Sequence, residues 1–155
     1  MLIRKILAQL AEERSLLLRA ARAAHAEATH EQSKADNKYD TRGLEASYLA
    51  RGQSQKVADV EQAIEEFEKL GTRSFPPEAP IDIGAIVETK SARDHSFYFI
   101  APRSGGMEIQ HEKREILVIT PQSPLGKQLM GRTQGERLKI EIAGSRQDHH
   151  ILMVC

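Results

Sequence analysis

Apolar residues recur at helical spacing through the N-terminal half of the chain. One series steps alternately by three and four residues and is mostly apolar: Ile3, Ile6, Leu10, Glu13, Leu17, Ala20, Ala24 and Glu27. A second series follows the same rule: Ala46, Ala50, Gln53, Val57, Val60, Ile64 and Phe67. This spacing places each series on one helical face, as in the seam of a coiled coil. The pattern predicts two long helices, the first over about Ile3–His30.

A polar segment without periodicity, residues 32–38, separates the two series. A short polar interruption between helical patterns predicts an antiparallel hairpin. The second helix is expected to end near Leu70–Gly71, because Gly favours the position after a helix and Pro76–Pro77 prevents continuation. The seam is bulky near these ends and small toward the tip, which fits either ordinary packing variation or a probe shaped for a narrow site.

Beyond the proline-rich linker the hydrophobic period changes from that of a helix to that of a strand. Alternating β-branched and aromatic residues predict strands over Ile83–Thr89, Ser96–Ala101, Glu115–Thr120, Leu138–Ile142 and His149–Val154. Between the third and fourth strands, Ser123–Pro124 predicts the start of a short helix that Gly131 closes, because Ser is a favoured N-cap and Pro is favoured at the first helical position.

These patterns together predict an α+β chain. Residues 1–73 are expected to form an N-terminal antiparallel helical hairpin, or coiled coil, with its tip at about 31–42. Residues 74–80 form a linker, and residues 81–155 form a small antiparallel β domain with one short helix.

Composition narrows the classes of function. Lys plus Arg and Asp plus Glu are 22 each, so the formal net charge is zero. A zero balance argues against nonspecific wrapping of duplex DNA, which needs excess cationic charge. The single cysteine, Cys155, cannot form an internal disulfide and predicts a reducing compartment. Without a signal-peptide pattern or a long apolar run, the expected location is the cytoplasm, with no membrane partner.

The segment Ile119–Gly131, followed by Gly135–Glu136 and an alternating strand, resembles the C-terminal signature of the Gre family of bacterial transcript-cleavage factors. That signature is a strand, an Asn/Gln-Ser-Pro helix cap, a short helix ending in Leu-x-Gly, and a Gly-Glu/Asp turn. The preceding hairpin, with a polar tip and Tyr39 just beyond, has the matching order and length. The resemblance covers nearly the whole chain, and its C-terminal part is the more specific.

The resemblance implies an FKBP-like C-terminal domain that docks on RNA polymerase through Ser123, Pro124 and Leu125. It implies a coiled coil that enters the secondary channel and stimulates cleavage of backtracked transcripts. Two acidic tip residues would help hold Mg²⁺ in the polymerase active site, so the chain needs no cofactor of its own. The chain would assist the polymerase's nuclease activity rather than be an enzyme, and would meet nascent RNA and DNA only within the elongation complex.

The tip reproduces the family pattern, Asp-x-x-Glu-Asn followed shortly by Tyr, only in part. Asp36–Asn37 matches the Glu-Asn pair with the shorter acid, and Ser33 stands where the first acid belongs. Alignment on Tyr39 instead puts Ala35 and Gln32 at the two acidic positions. Either register leaves the acidic pair incomplete.

Asp36 is therefore the best single candidate for contact with the shared Mg²⁺, and Asp40 and Glu31 are candidate substitutes for the missing charge. A carboxylate can hold Mg²⁺ and orient a water for attack on a phosphodiester. Alternatively, Ser33 and Asp36 form a capping box at the start of the second helix. The surrounding cations belong either to a solvated turn or to a surface for RNA or polymerase carboxylates: Lys34, Lys38 and Arg42.

Three other interpretations compete. A Gre-like regulator that occupies the channel without cleaving would suit the incomplete acidic pair. A helical-hairpin chaperone or scaffold would need only the hairpin. A freestanding metal hydrolase is disfavoured, because His25 and His30 do not share a helical face and the adjacent His149 and His150 point to opposite faces of a strand.

Overall fold

The computed structural model describes residues 1–29 and 41–155 of the chain. Helix α1 spans Leu2–Thr29 and helix α2 spans Arg42–Leu70, and together they form an N-terminal helical hairpin. At a rise of about 1.5 Å per residue, helices of 28 and 29 residues each extend a little over 40 Å. Gly71 follows α2 with φ 58°, which confirms the predicted end of that helix.

Burial along the hairpin confirms the predicted seam near the helix ends, whereas Ala20, which was also placed on it, is exposed. The buried members of the two series are Ile6, Leu10, Ala24, Val57, Val60 and Phe67. Leu2 and Ala63 are buried as well, so the seam is broader near the helix ends than a single heptad stripe. Gln53 is the polar member of the second series, and its side-chain oxygen is buried without a hydrogen-bond partner among the described residues.

The chain packs as two compact units. One is Leu7–Glu65, which holds most of both helices. The other joins Met1–Ile6 to Glu66–Cys155, so the first turn of α1 and the last turn of α2 belong to the same unit as the β structure. Within that unit the rings of Phe67 and Phe99 stack with centroids 6.5 Å apart.

Two polar contacts in this second unit also join the helix ends to the β structure. Lys5 Nζ donates to the carbonyl oxygen of Gln110 at 2.6 Å. Arg103 Nε donates to Glu66 Oε1 at 2.8 Å. The first is a side-chain to backbone bond at an exposed position and the second a partly buried ion pair, so both orient the helix ends more than they stabilise them.

Six strands of the described residues form one sheet. Their bounds are β1 Ile86–Lys90, β2 His95–Ile100, β3 Glu108–His111, β4 Arg114–Ile119, β5 Arg137–Ile142 and β6 Ser145–Val154. The short helix α3, Pro124–Leu129, lies between β4 and β5 in the chain. The strand order is β3-β4-β2-β1-β6-β5.

The sheet confirms the predicted α+β fold and adds two features. Four of its five pairings are antiparallel, but β2 and β4 run parallel, with Phe99 opposite Val118. The parallel pair arises because β3, a strand that the periodicity did not predict, turns back on β4 and leaves β4 beside β2. The tight turn uses Glu112 and Lys113, both at positive φ.

Alternate residues of the strands divide the core between the two faces of the sheet. On one face, Leu129 of α3 packs in a buried cluster with Ile100, Ile140 and Ile151. Phe99 points to the opposite face, where it meets Phe67. In the part of the chain that the structure describes, no helix is long and apolar enough to cross a membrane.

Candidate functional site

The turn between β4 and α3 carries the residues that the sequence signature singled out. Ser123 has φ −64° and ψ 154°, and its Oγ accepts a hydrogen bond from Gly126 N at 3.0 Å. The same Oγ donates to the carbonyl oxygen of Thr120 at 2.7 Å. Pro124 occupies the start of α3, where its missing N–H leaves no donor unsatisfied. The predicted Ser-Pro helix cap is confirmed.

Gly126 makes this cap possible, because α3 lies very close to the backbone that precedes it. A Cβ placed at Gly126 would lie 1.9 Å from the carbonyl oxygen of Thr120 and 2.9 Å from Ser123 Oγ. This contact is not apparent from the sequence alone. The available signal was a glycine inside a six-residue helix, where it costs about 1 kcal/mol relative to alanine unless packing requires it.

Gln128 fastens α3 to the edge of the sheet. Its Nε2 donates to the carbonyl oxygen of Glu141 at 3.1 Å, and its Oε1 accepts from Glu141 N at 2.8 Å. The second Nε2 hydrogen reaches the carbonyl oxygen of Pro124 at 2.9 Å. The amide thus occupies the position of a neighbouring strand beside β5, the last strand of the sheet, and covers part of an otherwise unpaired edge.

The three residues predicted to meet the polymerase differ in what they expose. The ring of Pro124 is exposed. Ser123 is half-buried, and its hydroxyl is already engaged by Thr120 and Gly126. Leu125 is half-buried against the core cluster. Pro124 is therefore the exposed member of the three, whereas Ser123 holds the turn in shape and Leu125 packs against the core cluster.

The Gly-Glu turn of the signature is held by its own carboxylate. Glu136 Oε1 accepts from Thr133 N at 2.8 Å and from Thr133 Oγ1 at 3.0 Å, and Arg132 NH1 lies 3.2 Å from Oε2. The bonds from Thr133, helped by Arg132, hold the pKa of Glu136 below its ordinary value of 4.5. Gly135 takes φ 90°, a conformation that favours glycine.

Stability near pH 4 should therefore depend on Glu136. Because the pKa is lower in the folded state, the stabilisation is present above pH 4.5 and is lost as the pH falls through the folded pKa. We expect Glu136→Gln to lower the melting temperature at pH 7 by a few degrees. The difference in melting temperature between this variant and the unmodified chain should become smaller below pH 4.

Melting curves between pH 3 and pH 7 check this, with Glu78→Gln as a control at an exposed position in the linker. The control removes one carboxylate from a site outside the Glu136 turn and should keep the acid dependence of the unmodified chain. An equal effect of the two substitutions at every pH would remove Glu136 from the acid response.

The predicted tip residues lie outside the described residues: Asp36, Asp40, Lys34 and Lys38. The alternative acid Glu31 and the capping candidate Ser33 do so as well. Arg42 begins α2. Within residues 1–29 and 41–155, no group of three His, Cys, Asp or Glu side chains could hold a metal ion.

No protein-family model and no curated protein matches the chain. Solved structures with a similar backbone include the GreA factor homolog 1 (Gfh1) protein of Thermus thermophilus, 17% identical, with a TM-score of 0.40. That match covers 96% of this chain and 94% of the other. Thermus aquaticus Gfh1 is 18% identical over 95% of this chain and 92% of its own, with a TM-score of 0.40.

A further match is the prokaryotic transcription elongation factor GreA/GreB from Nitrosomonas europaea, 15% identical, with a TM-score of 0.38. It covers 61% of this chain and 78% of the other. These structural neighbours are of the family whose C-terminal signature this chain resembles.

Proposed function

We propose that the chain is a Gre-type accessory factor of RNA polymerase. In this proposal the β-rich unit docks on the polymerase through Pro124, and the hairpin carries its tip into the secondary channel. There it stimulates cleavage of backtracked transcripts by the polymerase's own nuclease activity. The chain is then a cofactor of that activity and works in the cytoplasm, where the elongation complex is.

The observation that carries the proposal is the construction of the Ser-Pro turn. Ser123 caps α3, Gly126 allows the helix to lie against Thr120, and the result is one exposed ring at Pro124 on a rigid base. A chaperone or scaffold hairpin needs no such turn. A rigid apolar projection next to polar groups is what a specific protein contact uses as an anchor.

The chemistry of the tip fits the proposal through its carboxylates. Asp36 would supply an oxygen ligand of the kind Mg²⁺ prefers, and Asp40 would supply the second negative charge. The Mg²⁺, shared with the polymerase, would provide the Lewis acid for phosphodiester hydrolysis. Lys34, Lys38 and Arg42 would contact the phosphates of the transcript or carboxylates of the polymerase.

A cleavage assay on purified elongation complexes tests the function. The polymerase is stalled in a backtracked position with 5′-labelled transcript, and the chain is added with Mg²⁺. We expect transcript shortening to accelerate and the chain to co-elute with core polymerase. Asp36→Asn should reduce the stimulated rate by at least about tenfold, since a metal ligand stabilises transition-state charge by several kcal/mol.

The control for this assay is Asp59→Asn. Asp59 is an exposed carboxylate of α2 whose Oδ1 accepts from Gln55 Nε2 at 3.1 Å, and its loss should leave cleavage unchanged. Failure of the chain to co-elute with core polymerase would refute the proposal. Cleavage by Asp36→Asn at the full rate would remove Asp36 from the mechanism and leave Asp40 or Glu31 to be tested.

A second candidate is a Gre-like regulator that occupies the channel without cleaving. The incomplete acidic pair favours it, because Ser33 or Gln32 stands where the first acid belongs. Competition distinguishes the two functions. A non-cleaving regulator lowers the transcript cleavage produced by an active Gre factor in proportion to its own concentration, whereas a cleavage factor maintains it.

A further inference from the structure

A groove of about 610 Å³ lies between the C-terminal end of α3 and the start of β5. Partly buried Met130 and Leu138, which pack on the core cluster, form its apolar base. Exposed Lys127, Arg132 and Lys139 surround it. The groove therefore combines an apolar floor with a cationic rim.

The rim is positive in a chain whose formal net charge is zero. Glu136 is the one acid among the lining residues and lies 3.2 Å from Arg132 NH1, and Asp148 stands opposite Lys139 in the β5–β6 pairing. Lys127 and Lys139 pair with no carboxylate among the described residues, so two positive charges stay available to a partner. Ion pairs made there would replace no existing one.

The chemistry of the lining favours protein carboxylates over nucleic acid. Single-stranded RNA and DNA bind through aromatic side chains on which bases stack, and none of the residues that line this groove is aromatic. Met130 and Leu138 instead suit a segment that presents an apolar side chain between acidic ones.

The groove is continuous with the proposed docking turn. Pro124 and Lys127 are three positions apart on α3 and therefore share a helix face, and both are exposed. A partner that covers the ring of Pro124 would thus meet Lys127 next and then the groove.

We propose that this groove binds an acidic segment of RNA polymerase, with Lys127 and Lys139 as the charged contacts and Met130 with Leu138 as the apolar seat. The inference rests on the proposed function. Charged rim contacts mainly accelerate association and make it depend on ionic strength. In this proposal the exposed Pro124 turn anchors the chain on the polymerase. The groove orients the bound chain and accelerates its association with the polymerase.

Charge reversal tests the groove. We expect Lys127→Glu with Lys139→Glu to weaken binding to core polymerase by roughly tenfold near 50 mM salt, since each reversal turns an attraction into a repulsion. The ratio of the two affinities should approach one at about 0.5 M salt, where screening of the charges is nearly complete. Lys127→Gln with Lys139→Gln, which only removes charge, should give an intermediate loss.

The control is Arg93→Glu with Lys113→Glu, an equal change of charge at two exposed turns of the same β unit that do not line the groove. It should bind polymerase as the unmodified chain does. Melting curves of all variants establish that they are folded, and the Gln pair carries the test if the Glu pair is not.

Each outcome decides a different question. If the unmodified chain does not bind polymerase, the proposed function and the groove fail together. If it binds and the groove variants bind equally well, or if the control variant weakens binding as much, the groove is refuted and the function stands. If the chain binds a single-stranded RNA oligonucleotide and the groove variants abolish that binding, the groove is a nucleic-acid site and the inference is wrong.

Discussion

Replacing Gly126 with alanine is expected to destabilise the β-rich unit by about 3 kcal/mol or more. Two effects oppose each other. Alanine is the better helix former by about 1 kcal/mol. However, its Cβ would lie 1.9 Å from the carbonyl oxygen of Thr120, a distance that only movement of the backbone can relieve. That movement would break the cap that Ser123 makes, so the clash dominates.

The matched control is Gly52→Ala in α2. Gly52 is also helical, and a Cβ there has nothing within 4 Å, so alanine should stabilise the hairpin by up to about 1 kcal/mol. Urea denaturation followed by circular dichroism measures both. A Gly126→Ala variant as stable as the unmodified chain would mean that α3 can lie further from β4 at little cost.

Loss of the cap made by Ser123 should also weaken binding to the polymerase. If Gly126→Ala remains folded at low temperature, its affinity for polymerase should fall, because Pro124 would no longer project from a fixed turn. Pro124→Ala, which removes the ring and leaves the cap of Ser123 in place, separates the two causes. It should weaken binding while changing stability little.

Replacing Phe67 with alanine is expected to cost about 3–5 kcal/mol, as for other buried aromatic side chains. Phe67 has no exposed surface, and its ring stacks on that of Phe99. Its loss leaves a cavity where the last turn of α2 packs on the sheet. We therefore expect faster amide exchange in residues 66–70 and in β2, together with the fall in stability.

Tyr48→Ala is the control for Phe67, because it removes an aromatic ring of the same helix at a position 64% exposed. Its effect should stay within about 0.5 kcal/mol. Hydrogen exchange measured by mass spectrometry resolves the two regions. Equal protection of β2 in the Phe67 variant and the unmodified chain would show that the helix end contributes nothing to the sheet.

The sequence alone determined the elements whose causes are local. The seam periodicity predicted α1 and α2 to within a few residues at the ends that the structure describes. Apolar residues that recur every three or four positions fall on one face only if the chain is helical. Ser123–Pro124 predicted the start of α3 for the same kind of reason, since a cap is satisfied within three residues. Gly71 likewise marked the end of α2.

Elements whose causes are distant in the chain required the tertiary structure. Strand β3 has four residues and one buried apolar side chain, Ile109, so it carries almost no periodic signal, and its pairing with β4 is what defines it. The parallel pairing of β2 with β4 depends in turn on that hairpin.

The candidate site likewise combines features that the sequence predicts with features that only the tertiary structure reveals. The Ser-Pro cap was visible in the sequence, but the reason for Gly126 is an oxygen atom of Thr120, and the contact of Gln128 with Glu141 crosses 13 residues. The cationic groove joins side chains of α3 to the first residues of β5. Local periodicity and capping fix the helices because their bonds close within one turn, whereas sheet order, close approach and grooves are set by which segments meet in space.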